Sequence, residues 1–125
     1  MKLKLNNAVI PIVVINIILF ILQNLIDGFT EMFMLIAQDV FTRPWILLTS
    51  MFVHGSAAHL VFNMYVLFMF GSLIEHRIGT KRFILVYFLS GILASFVSAF
   101  FYPRALGASG AIMAIIGVTI MLMPH

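Results

Sequence analysis

The sequence predicts an all-α protein, a polytopic bundle of transmembrane helices forming one integral-membrane domain over residues 1–125. Two observations carry the prediction. Hydrophobic residues make up 63% of the chain and charged residues 9%, against roughly 25% charged in soluble domains, and mean hydropathy is +1.17. In addition, the apolar residues gather into runs on the scale of the ~20 residues that a helix needs to cross a ~30 Å hydrocarbon core.

The first expected span is 8–26, interrupted by Pro11, Asn16 and Gln23. Proline near a helix start is tolerated because the first N–H groups have no intrahelical partner. Lys2 and Lys4 resemble the basic start of a signal peptide. The apolar run exceeds the usual 7–15 residues and no A-x-A-like site follows, so the span is expected to be retained. Residues 27–53 contain the apolar stretches "EMFMLIA" and "PWILLTSMFV". They are expected to lie in the interface plane or dip partway in, with Trp45 at headgroup level. The second span is expected at 54–74, the third at 83–101 and a short fourth at 108–123.

Orientation follows from basic residues. Lys2, Lys4, Arg77, Lys81 and Arg82 fall on one side; Arg43 and Arg104 fall on the other with Asp27, Glu31 and Asp39. The N-terminus and the 75–82 loop are therefore expected in the cytoplasm of a multi-pass cell-membrane protein. Glu75 with Arg77 is expected to form an interfacial charge cluster at the end of span two. Without cysteine there is neither a disulfide nor a thiolate site. A net charge of +3 without an aromatic-interleaved basic patch gives no nucleic-acid surface.

Two places put polar groups where lipid disfavours them. In "HGSAAHLVFNMYVLFMFGSLI", His59 and Asn63 are four apart and share a helix face, and His54 lies nearer the outer surface. Such groups either hydrogen-bond a neighbouring helix or face a wet cavity. In "GASG", residues 107–110, Ser109 opens the fourth span. It can be an N-cap, a packing residue or a nucleophile. Gly110, Ala114 and Gly117 form a small-residue face for close packing, with no obvious partner among spans one to three. A sixteen-residue span rises ~24 Å, so Ser109 is expected to start below the outer surface. Adjacent antiparallel spans would aim His59 and Asn63 at a carbonyl under attack by Ser109, where an oxyanion would form.

These residues resemble the rhomboid family of intramembrane serine proteases. "HGSAAHLVFN" fits its H-x4-H-x3-N pattern, "GASG" its G-x-S-G, and "EHRIG" (75–79) its Glu-x-Arg-x-Gly. The resemblance covers about 45–117. It implies Ser109 as nucleophile, His59 and Asn63 as oxyanion-hole donors beside the Ser109 N–H, and His54 in support. It further implies transmembrane protein segments as substrates, cleaved near their outer ends, and no cofactor.

The chain differs from the family pattern at Trp45-Ile46, where Trp-Arg is common, in a short 27–44 loop, and at Met113, where some members carry an aromatic residue. The family's general base is a histidine on a sixth span in an Ala-His-x-x-Gly setting, which this stretch does not contain. His125 is ~24 Å along the helix from Ser109 and on the opposite side. The 125 residues are therefore expected to be four spans of a six-span core. The alternative is a catalytically inactive rhomboid-like protein that binds transmembrane helices. A metal site on His54 and His59 lacks a ligand set with recognisable spacing.

Overall fold

The computed structural model describes residues 8–122; Lys2, Lys4 and His125 lie outside them. In chain order the elements are α1 (Val9–Leu25), α2 (Phe29–Phe33), β1 (Leu35–Ile36), α3 (Ile46–Thr49), α4 (Ala57–Val66), α5 (Ser72–Ile78), α6 (Thr80–Ser98), β2 (Arg104–Ala105) and α7 (Ser109–Leu122). A π-helical turn, Leu67–Gly71, joins α4 to α5 into one continuous helix. Among the described residues, Ala57–Ile78 (22 residues) and Thr80–Ser98 (19 residues) are long and apolar enough to cross a membrane. The apolar helices α1 and α7 are shorter, at 17 and 14 residues. The helix expected from 54 begins at Ala57, which places His54 in the irregular loop ahead of it.

The long helices alternate in direction, as three contacts between their ends show. The Glu75 carboxyl, in α5, accepts from the backbone N–H of Ala8 at 2.8 Å and of Val9 at 3.3 Å. It also accepts from the Thr80 hydroxyl at 2.8 Å. The start of α1, the end of α5 and the start of α6 thus meet at one end of the bundle. Arg77 reaches the Leu122 carbonyl at 3.5 Å, so α7 ends there as well. Glu75 is therefore not part of a wet interfacial charge cluster with Arg77. It is buried, 3% exposed, because α1 has no side-chain cap of its own and its first N–H groups need an acceptor. A carboxylate suits the positive end of the helix dipole.

Glycines set how closely the helices approach. A Cβ on Gly71 would lie 3.2 Å from Val9 Cγ2 and 3.4 Å from Phe83 Cζ, so its absence lets α1 and α6 close on the π turn. In lipid this packing, not exclusion of water, drives helix association. The small-residue face of α7 does have a partner, contrary to expectation. Gly110 packs against Ala94 of α6, where a methyl group at Gly110 would overlap the Ala94 methyl. Gly117, further along the same face, has open space beside it. The main core joins Val9, Ile12, Leu67, Phe83, Tyr87 and Ile115, drawn from α1, α6, α7 and the π turn.

The apolar segment 27–53 folds into short elements. β1 pairs antiparallel with β2, Leu35 opposite Ala105 and Ile36 opposite Arg104. The Ala37 N–H extends this ladder to the Pro103 carbonyl at 2.9 Å. Arg43 bridges Asp39 at 3.0 Å and donates to the Met32 carbonyl at 3.0 Å. Leu35, Val40 and Ile46 form a second small core beneath it.

Candidate active site

The turn into α7 is held from three sides. The β1–β2 pair fixes Arg104 and Ala105. Two residues on, the Gly107 N–H donates to the Ser50 carbonyl at 2.8 Å. The Ala108 N–H then meets His54 Nε2 at 3.4 Å. Gly107 has φ +105°, a conformation that side chains rarely adopt. The chain can therefore turn sharply and enter the helix at Ser109. Ser109 is not the N-cap: α7 starts at Ser109, and the Ala108 carbonyl accepts from the Ile112 N–H at 3.0 Å. The serine hydroxyl stays free for other contacts, and its own N–H is a first-turn donor with no intrahelical acceptor.

That hydroxyl meets α4. Asn63 Nδ2 lies 3.4 Å from Ser109 Oγ, and Asn63 is 4% exposed. One turn earlier, His59 lies against the same turn. A Cβ built on Gly107 would fall 2.9 Å from His59 Nε2 and 3.8 Å from Asn63 Nδ2. His59 Nδ1 accepts from the Gly55 N–H at 3.4 Å. The proton of a neutral ring then sits on Nε2, the nitrogen facing Gly107. An amide N–H beside the Ser109 hydroxyl, an imidazole nitrogen facing Gly107 and the first N–H of α7 thus gather at one turn. Such a set of donors can stabilise negative charge developing on an oxygen placed among them.

His54 backs the arrangement. It is 1% exposed and stands edge-on to His59, ring centres 5.0 Å apart. It lies in the loop outside the helical spans, and its imidazole is held low, to about 4, by burial first and by His59 second. A backbone contact at Phe52 opposes this shift. That contact lacks hydrogen-bond geometry, and Nδ1 has no hydrogen-bond partner among the described residues. The neutral ring is the form that can accept from Ala108.

A cavity of about 120 Å³ opens beside Ser109, lined in part by Ser50, Ser95, Ser98 and Gly110. Its walls are mostly small residues, with Met51 and Leu106 among them, and Ser50 and Ser95 share a hydrogen bond at 3.4 Å. Ser109 itself is exposed, and its Oγ makes no hydrogen bond to an imidazole among the described residues. No three His, Cys, Asp or Glu side chains gather as a metal-ligand group among them.

The match with a known family falls on this site. Residues 42–125 match the rhomboid domain. The chain belongs to the rhomboid family. It is 44% identical over 75 residues to the rhomboid protease GluP of Bacillus subtilis (strain 168), covering 58% of this chain and 15% of that protein. It is 38% identical over 77 residues to the RHOMBOID-like protein 6, mitochondrial, of Arabidopsis thaliana, covering 60% of this chain and 25% of that protein. To the presenilin-associated rhomboid-like protein, mitochondrial, of Mus musculus it is 38% identical over 95 residues, covering 71% of this chain and 25% of that protein. The chain thus spans a quarter or less of the length of these relatives.

Four of the motif residues singled out in the sequence, His54, His59, Asn63 and Ser109, come together at the turn into α7, whereas Glu75 and Arg77 of "EHRIG" lie at the other end of the bundle. Sequence reasoning missed two contributors. Ser50 supplies the carbonyl that holds Gly107, and no sequence signal marks it. Gln23 holds His54 by its backbone, Oε1 accepting from the N–H at 2.9 Å and Nε2 donating to the carbonyl at 2.8 Å. Its one signal was an amide interrupting an apolar run.

Proposed function

We propose that this chain is the nucleophile-bearing part of an intramembrane serine endopeptidase, cleaving transmembrane protein segments near their outer ends. The observation that carries the reading is the Asn63–Ser109 contact at 3.4 Å. Ser109 Oγ attacks the scissile carbonyl carbon and a C–O bond forms. The carbonyl oxygen, now negative, takes hydrogen bonds from Asn63 Nδ2, His59 Nε2 and the Ser109 N–H. The serine proton passes to a general base, by family resemblance a histidine on a later span, which returns it to the departing amine as the C–N bond breaks. Water then hydrolyses the acyl-enzyme by the same route. His54 supports the turn and holds no proton in transit.

Helices α1, α4–α5, α6 and α7 are four crossings, with the N-terminus and the 75–82 loop in the cytoplasm. α7 rises ~21 Å, so Ser109 lies below the outer surface of a ~30 Å core. A substrate helix must unwind to offer its peptide bond there, and glycine in the substrate lowers that cost.

A fluorophosphonate probe on the full-length protein tests this. The expected result is labelling of Ser109 that is lost in Ser109→Ala. Absence of labelling in the full-length protein would favour an inactive member that binds transmembrane helices.

A further inference from the structure

We infer that Gln23 is a positioning residue for the Ser109 turn, acting through His54; the inference rests on the nucleophilic role proposed for Ser109. Residues 53–56 have no regular structure, so the His54 backbone groups have no helix or strand partner. The Gln23 amide supplies both, accepting from the His54 N–H at 2.9 Å and donating to its carbonyl at 2.8 Å. It also donates to Thr30 Oγ1 at 2.9 Å, which ties the amide's orientation to α2. A planar group bonded to both faces of one residue fixes that residue's rotation as well as its place.

Rotation is what the site needs from His54. The ring must stand edge-on to His59, whose Nε2 faces Gly107, while its own Nε2 accepts from Ala108, the residue before the nucleophile. Gln23 touches none of the reacting groups. It sets the orientation of a ring that touches both arms of the site.

The test uses the full-length protein with Gln23→Ala, Gln23→Glu and the exposed control Asn24→Ala, reading the rate of Ser109 labelling by a fluorophosphonate. Gln23→Ala is expected to label about 10- to 100-fold more slowly, the scale of an ångström-sized misplacement; Asn24→Ala is expected to match the parent. Glutamate accepts from the His54 N–H but donates to the carbonyl only when protonated. The labelling rate of Gln23→Glu relative to the parent is therefore expected to rise as pH is lowered from 7 to 5. His54 and His59, which face this loop, and exposed Asp27 and Glu31 are present in both proteins, so the ratio at each pH compares them against a common background. A merely structural glutamine would shift thermal stability and leave that ratio flat, and a flat ratio overturns the inference. Hydrogen exchange at the Ala108 amide provides a readout that does not need labelling. It is expected to quicken about tenfold or more in Gln23→Ala, and an unchanged rate overturns the positioning role. Failure of the parent itself to label counts against the proposed function, while the exchange result still judges Gln23.

Discussion

The Asn63 amide nitrogen stands 3.4 Å from the Ser109 hydroxyl oxygen, joining residues 46 apart in sequence. This contact links α4 to the first residue of α7, and under the proposed function Asn63 is one donor to the oxyanion. Removing one donor of such a set costs about 100- to 1,000-fold in kcat. Asn63→Ala in the full-length protein is expected to lower the cleavage rate of a transmembrane substrate by about that factor, with KM little changed. A loss confined to KM would point to substrate binding instead.

Gly107 carries both a backbone constraint and a steric one. Its φ is +105°, and an added Cβ would meet the His59 ring at 2.8 Å. Gly107→Ala is expected to destabilise the protein by about 1–3 kcal/mol and to reduce Ser109 labelling by displacing His59. Gly28, at φ +83° with open space around it, separates the two effects. Gly28→Ala is expected to show backbone strain alone, with labelling unchanged. Thermal unfolding and labelling measured on both variants check this.

Gly110 sets the distance between α7 and α6. Gly110→Ala is expected to cost about 1–3 kcal/mol by overpacking against Ala94. The double variant Gly110→Ala/Ala94→Gly is expected to recover most of that loss. Gly117→Ala meets nothing within 4 Å and is expected to be neutral or slightly stabilising. Unfolding in mixed micelles distinguishes the three.

Glu75 accepts from two backbone N–H groups of another helix and from Thr80. In Glu75→Gln one acceptor oxygen becomes an NH₂ facing donors. The expected cost is about 1–3 kcal/mol, seen as a lower unfolding midpoint and faster hydrogen exchange at Ala8 and Val9.

His54 sets a pH limit. Its imidazole is depressed from 6.5 to about 4 by burial and by His59. The unfolded chain therefore binds the proton more readily than the fold does. The sign follows from linkage: the contribution is complete above pH 6.5 and is lost as pH falls towards 4. Stability of the parent is expected to decline over that window more steeply than that of His54→Gln, whose amide does not titrate there. Parallel curves for the two proteins would refute the assignment.

The helical architecture was legible because apolar runs near span length are local features: the helix boundaries differ from expectation by only a few residues. The motif residues were legible too, since His59 and Asn63 share a face by helical periodicity alone. Gln23, Ser50 and Ala94 were not. Each acts through a partner distant in sequence, and a glutamine in an apolar run reads the same whether it glues helices or holds a loop. Glu75 was misread for the same reason, because its donors lie 66 and 67 residues away. By itself the sequence determined the helices, the family motifs and the chemical types available, all set by nearest neighbours and period. Only the tertiary structure decided which groups meet at Ser109 and what holds them there. Hydrogen bonds require contact within about 3.5 Å, and contact across a bundle depends on how the helices pack.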